Sequence, residues 1–134
     1  MTVDAEEPAW RRYLRMRDQY LANARQAFAL QEWSKVTELL WGAVAQGIKA
    51  LAAARAIHLR RHADLRDFTA RMGKEVGDSS FSRAFSDAER MHANFYDHFL
   101  SPADVVGHMQ ATEDLLGRLE EQLRRITVQA RDES

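Results

Sequence analysis

The sequence predicts an all-α fold: an antiparallel bundle of four to five helices, in a single domain covering residues 1–134. Three observations predict it. Apolar residues make up 46% of the chain, which is enough to build a core for a domain of this size. Only two prolines and six glycines interrupt the sequence. Apolar residues also recur at steps of three and four through most of the chain, which is the period of amphipathic helices.

The first two predicted helices are long. Residues 8–31 form the first, and Pro8 suits its first turn. Residues 34–59 form the second, in which apolar side chains leave only a narrow polar strip, so we expect it to contact several helices at once. Gly42 and Gly47 each cost a helix about 1 kcal/mol relative to alanine. Their presence indicates close packing, within the chain or across a dimer, and predicts that alanine at Gly47 overpacks the helix contact.

Three further helices complete the predicted bundle. Asp64 is a suitable cap for a short helix over residues 65–74. A connector rich in glycine and serine follows, and then a helix over residues 80–100. Ser101, followed by proline and then by an acid three positions after the serine, marks the start of the last helix, 102–129.

Composition excludes several classes of protein. The chain has no cysteine, which excludes disulfides, cysteine-ligated zinc and thiol catalysis and fits a cytoplasmic protein. The N-terminal residues lack the apolar segment of a signal peptide. The most apolar run, residues 39–54, contains Gln46 and Lys49 and is too short to span a bilayer. We therefore expect a cytoplasmic protein with no membrane partner.

Charge gives only local indications of a partner. The formal net charge of −1 provides no overall attraction to nucleic acid. Arginines concentrate within residues 11–17 and 55–66, and either group is able to contact phosphate. The alternative is a solvated helix face, which the acidic residues among these arginines favour.

The segment 87–100, DAERMHANFYDHFL, carries most of the side chains suited to chemistry. On a helical wheel of about 100° per residue, Arg90, Asn94 and His98 share the polar face. A guanidinium beside an imidazole can hold a phosphate and move a proton. The candidate ligand-binding residues are therefore Asp87, Arg90, Asn94, Tyr96 and His98, and the candidate catalytic residues are Arg90, His92 and His98. The alternative is structural: His92 bonds within the bundle, and Arg90 pairs with a neighbouring aspartate.

Other motifs do not predict a metal or a cofactor. His58 and His62 are four residues apart, but two arginines lie between them and no adjacent carboxylate completes a zinc motif. A capping or surface role explains both histidines. The sequence also lacks a glycine-rich phosphate loop, a nucleophile elbow and a dinucleotide-binding fingerprint. We expect no metal site and no cofactor.

Residues 91–96, Met-His-Ala-Asn-Phe-Tyr, resemble the Leu-His-x-Asn-Phe-Tyr signature of PaREP-type proteins, a branch of the HEPN helical superfamily. The order of long and short helices supports this resemblance, which covers roughly residues 20–123. It implies an antiparallel bundle of four to five helices that is often a homodimer. The superfamily includes ribonuclease toxins and non-catalytic partners that bind RNA or nucleotides, and some members act beside a small nucleotidyltransferase.

The spacing of arginine and histidine departs from the superfamily's ribonucleases, which place four to six residues between an Arg and a His on one helix. Here seven residues separate Arg90 from His98, and one separates Arg90 from His92. Arg55 and His62 have six between them but lie outside the signature helix. The resemblance thus implies a non-catalytic component, binding RNA, a nucleotide or a protein, of a prokaryotic defence or toxin–antitoxin type system. The alternative is a metal-independent endoribonuclease that uses Arg90 with His92 or His98. The expected partners are a second copy of the chain, RNA or a nucleotide, and a nucleotidyltransferase.

Overall fold

The computed structural model of the chain describes residues 7–97 and 101–133, and within them the side chains of residues 7–93 and 101–128. This part of the chain contains five α-helices and no strand. The helices are α1 (Ala9–Ala29), α2 (Trp33–Ala54), α3 (His62–Val76), α4 (Ser80–Asp97) and α5 (Pro102–Glu133). The predicted all-α bundle is confirmed.

Helix α2 is the centre of the bundle. It packs against α1, α3, α4 and α5. Its residues Leu40, Ile48 and Leu51 are fully buried, and apolar residues occupy most of its circumference. Of the described side chains, those of α2 are the most completely buried, as the sequence predicts.

Two residues with left-handed backbone conformations follow the ends of α1 and α2. Gln31 has a φ of 58° and Ala56 has a φ of 60°. A helix cannot continue through such a residue, so α1 ends at Ala29 rather than at residue 31, and α2 ends at Ala54 rather than at residue 59. The predicted ends of both helices are wrong for this reason.

The third helix is longer than predicted. It begins at His62 rather than at residue 65. Asp64 caps it from a position inside its first turn, where its carboxylate accepts hydrogen bonds from the backbone just before the helix. The Oδ2 atom of Asp64 accepts hydrogen bonds from the backbone N–H groups of Arg60 at 3.1 Å and Arg61 at 2.9 Å. These bonds lower the pKa of Asp64, that from Arg61 most strongly. Because α2 ends before His58, that residue and His62 do not share a helix.

The start of α5 follows the predicted capping pattern. The hydroxyl of Ser101 accepts a hydrogen bond from the backbone of Asp104, and the carboxylate of Asp104 accepts one from the backbone of Ser101, both at 3.2 Å. This helix extends to Glu133 rather than to residue 129. The predicted last residues of the fourth helix, 98–100, lie outside the described part of the chain.

The apolar surface of α2 is covered within the chain. Helices α1, α3, α4 and α5 together bury it, so this helix offers little apolar surface to a second copy. The large hydrophobic side chains that the described part exposes are Met16, Leu30, Val106 and Val128. None of the described helices is long and apolar enough to cross a membrane.

Candidate functional site

Four rings meet where α2, α3 and α4 pack together. Trp41 of α2 lies with its ring centroid 4.9 Å from that of His62, and the two planes are 23° apart. The ring of His92 lies 5.3 Å from Trp41 and 6.5 Å from His62. Phe85 packs edge-on against the indole at 5.6 Å. The indole thus supports two imidazoles that come from different helices.

A carboxylate orients each imidazole. The Nε2 atom of His62 lies 2.7 Å from Oε2 of Glu89, and Arg66 donates to the same oxygen at 2.8 Å. The Nδ1 atom of His92 lies 3.0 Å from Oε2 of Glu38. Partial burial raises the pKa of Glu89, but the hydrogen bonds from Arg66 and His62 outweigh it, so the pKa is lowered. The glutamate is therefore ionised at neutral pH.

These residues reach one place because of their spacing in each helix. Residues three, four or seven positions apart lie on one helix face. The contributions are Glu38 and Trp41 from α2, His62 and Arg66 from α3, and Phe85, Glu89 and His92 from α4; these seven residues are called the Trp41 cluster below.

The polar side of the Trp41 cluster is open to solvent. The side chains of His62 and His92 are 41% and 31% exposed, whereas Trp41 beneath them is only 8% exposed. Arg66 is 55% exposed at the edge. A ligand can therefore reach the imidazoles and the guanidinium, while the buried indole holds the rings in place.

The predicted residues Asp87 and Arg90 lie towards the start of α5. Burial lowers the pKa of His108 in α5, and Arg90 adds to this effect, while the carboxylates of Asp87 and Asp104 oppose it. Hydrogen bonds from Ser101 lower the pKa of Asp104, and the charge of Arg90 adds a smaller effect in the same direction. Arg90 is thus an exposed cation beside an acidic helix start.

The structure separates Arg90 from His92. His92 contacts Glu38 and Trp41 of α2, whereas Arg90 is close to α5. Positions two apart on a helix point about 200° from each other. These two side chains therefore do not converge on one phosphodiester bond. The side chains of the predicted residues Asn94, Tyr96 and His98 lie outside those that the structure describes.

Most of the Trp41 cluster was missed by the sequence analysis. His92 was a candidate, and His62 was considered beside His58 and at the ribonuclease spacing from Arg55, but was not selected in either case. Glu38, Trp41 and Glu89 were not selected, because each belongs to a periodic pattern that is ordinary on its own helix. The available signal was a histidine at helical spacing from a charged residue, His62 with Arg66 on α3 and His92 with Glu89 on α4, but nothing in the sequence shows that those faces meet.

A concave region lies on the side of α3 away from the Trp41 cluster. It has a volume of about 600 Å³ and lies beside Ile57, His58, Asp67 and Arg71. Its charges are mixed, and His58 is the one ring among the residues that line it. Within the described residues, no group of three histidine, aspartate or glutamate side chains is placed to hold a metal ion.

Comparison with family models matches residues 12–116 to the archaeal PaREP1/PaREP8 family. The matched region is well over half of the chain, and it contains both the segment 91–96 and the whole Trp41 cluster. No curated protein matches the chain.

Proposed function

The chain belongs to the archaeal PaREP1/PaREP8 family, and from the geometry of its site we propose that it is a binding module for a nucleotide or single-stranded RNA. The binding face is the Trp41 cluster. One observation carries this proposal: two partly exposed imidazoles rest on a buried indole, and a guanidinium lies at their edge.

The rings supply a stacking platform. Unpaired bases stack on aromatic and histidine side chains, and such a stack contributes about 1–3 kcal/mol per base. His62 is the more exposed of the two imidazoles. Its ring is held by Trp41 on one side and Glu89 at its edge, so little freedom is lost when a base binds.

Arginines supply the contacts to phosphate. Arg60 and Arg61 are exposed and directly precede His62, and Arg66 lies one turn further along α3. The backbone N–H groups of Arg60 and Arg61 are held by Asp64, so both side chains start from a defined position at the beginning of α3, directly before His62 in the chain. Because the net charge of the chain is only −1, this local group, rather than an overall field, would attract the phosphates.

Binding is favoured over cleavage. A ribonuclease that used Arg90 with His92 would need both side chains at the same phosphodiester, and they face α5 and α2 respectively. The module would then serve as the non-catalytic component of a prokaryotic defence or toxin–antitoxin type system, with a nucleotidyltransferase as a possible partner protein. This setting follows from the resemblance of residues 91–96, and pull-down from a native host would test it.

The experiment measures RNA binding by fluorescence anisotropy with a labelled single-stranded oligonucleotide at several salt concentrations. His62→Ala should weaken binding by about 1–3 kcal/mol because a stacking ring is lost. Arg66→Ala should weaken binding and reduce the salt dependence by about one phosphate contact. The matched controls are His58→Ala, another exposed histidine, and Arg71→Ala, an exposed arginine on the opposite side of α3 that borders the concave region described above.

Each result has a definite consequence. Equal losses in His62→Ala and His58→Ala, with unchanged melting temperatures, would refute the assignment of the binding face. Absence of binding to any nucleotide or RNA would refute the proposed function. Cleavage of the RNA by the wild-type chain, lost in His92→Ala, would favour the ribonuclease alternative.

A further inference from the structure

The Trp41 cluster contains two carboxylates, which a contact with phosphate does not need. They belong to Glu38 and Glu89, and they lie beside the guanidinium of Arg66 and the two imidazoles. A carboxylate repels phosphate, but it accepts hydrogen bonds strongly. The two glutamates are therefore suited to the donor groups of a ligand rather than to its phosphates.

Glu89 has an oxygen in position for such a donor. His62 and Arg66 both bond to its Oε2 atom, and no hydrogen bond among the described residues uses its Oε1 atom. The side chain is 27% exposed, so the carboxylate is partly open to solvent beside the ring of His62. Two partners on the same carboxylate fix its orientation before any ligand arrives.

We infer that Glu89 makes the site selective for nucleobases that carry an exocyclic amino group. This inference rests on the proposed function and names the class of base. Cytosine presents an amino donor where uracil presents a carbonyl, and a carboxylate accepts from the amino group of cytosine. Uracil in the same position would place its carbonyl oxygen against the carboxylate, and two acceptors would repel each other.

Matched nucleotides test the inference on the wild-type chain. Cytosine and uracil differ at C4, where an amino group replaces a carbonyl, and at N3, which is an acceptor in cytosine and an N–H donor in uracil. GMP and IMP differ only by the amino group of guanine, so this pair is the stricter test. We expect CMP to bind about tenfold or more tightly than UMP, since a hydrogen bond to a charged acceptor is lost and a repulsion is gained. GMP should likewise bind more tightly than IMP. Isothermal titration calorimetry measures all four, and short cytidine and uridine oligonucleotides show whether the preference holds in RNA.

Glu89→Gln provides the decisive variant. Arg66 only donates, so the amide oxygen of glutamine should face Arg66 and the amide NH₂ should occupy the position of Oε1. A donor then replaces an acceptor, and the preference should reverse towards UMP. The control is Glu113→Gln, which removes an exposed carboxylate from α5 that pairs with Arg25 at 3.4 Å, and it should leave the preference unchanged.

The outcomes separate this inference from the proposed function. Equal binding of CMP and UMP by the wild type would overturn the inference, although the chain would still be a nucleotide-binding module. A preference for CMP that persists in a folded Glu89→Gln variant would also overturn it, because another group would then read the base. No binding of any nucleotide or oligonucleotide would refute the proposed function itself.

Discussion

Replacement of Gly42 by alanine tests how closely α1 and α2 approach. A Cβ atom at this position would lie 2.6 Å from the Cδ1 and Cε1 atoms of Tyr20 and 3.0 Å from Cγ. Optimal separations between carbon atoms are about 3.5–4.0 Å. Because the conflict includes Cγ at the base of the ring, the whole tyrosine side chain must move.

The magnitude follows from two opposing effects. Alanine improves helix propensity by about 1 kcal/mol, whereas overpacking of a tight contact costs about 1–3 kcal/mol. With three ring atoms in conflict, the cost should be near the upper end of that range. We therefore expect Gly42→Ala to lower the free energy of unfolding by about 1–2 kcal/mol.

Two other glycines provide a graded series. At Gly47 the added Cβ would lie 3.1 Å from Cδ2 of Leu116 and 3.4 Å from Cδ1 of Leu119. These are terminal methyl groups, so the predicted overpacking at Gly47 should be weaker than at Gly42. At Gly117 in α5 nothing lies within 4 Å, and alanine should stabilise the chain by about 1 kcal/mol through helix propensity alone.

Urea unfolding followed by circular dichroism gives the free energy of unfolding of the three variants, provided that its slope against urea concentration is the same for each. The expected order of stability is Gly117→Ala, then Gly47→Ala, then Gly42→Ala. If Gly42→Ala is as stable as Gly117→Ala, then α1 and α2 do not approach each other as closely at Tyr20 as the structure indicates.

Four further predictions concern a turn, a cap, a surface face and assembly. Gly77→Ala should lower the free energy of unfolding by about 1–2 kcal/mol, measured in urea, because residue 77 has a φ of 70°. The hydroxyl and the backbone N–H of Ser80, at the start of α4, donate hydrogen bonds to Oδ1 of Asp78 at 2.6 and 2.9 Å. These bonds, with the charge of Arg118, lower the pKa of Asp78 below its ordinary 3.8, so the stability that its ionised form adds is complete above pH 3.8 and is lost as the pH falls through the lowered value. Acid titrations of wild type and Asp78→Asn should therefore show a stability difference that closes below that range. Arg90→Ala should change the free energy of unfolding by less than about 0.5 kcal/mol; if it abolishes RNA binding, the ligand lies on the polar face of α4 that the sequence predicts and not on the Trp41 cluster. The resemblance to PaREP-type proteins predicts a homodimer, which sedimentation at micromolar concentration would show, and a monomer there would remove that prediction.

The sequence by itself determined those features of the fold that depend on neighbouring residues. Five helices follow from apolar periodicity, because a helix needs only a continuous buried face. The start of α5 follows from Ser101 and Asp104, since both caps are formed by side chains three residues apart. The segment 91–96 indicated the family because it is continuous in sequence.

The ends of α1 and α2 were visible only in the structure. Gln31 and Ala56 adopt a left-handed conformation that neither residue type prefers, so local sequence gives little sign of it. Backbone hydrogen bonds close both helix ends there: the N–H of Glu32 donates to the carbonyl of Ala27 at 3.0 Å, and the N–H of Ile57 donates to that of Ala52 at 2.8 Å.

The candidate site was likewise decided by tertiary structure. His62 and His92 are 30 positions apart in sequence, and both lie against Trp41 only because α3 and α4 pack on the same side of α2. The polar face of α4 looked more promising because its charged residues are neighbours on one helix. A site assembled from three helices has no such local pattern, since each helix supplies only two or three residues that are ordinary in their own setting.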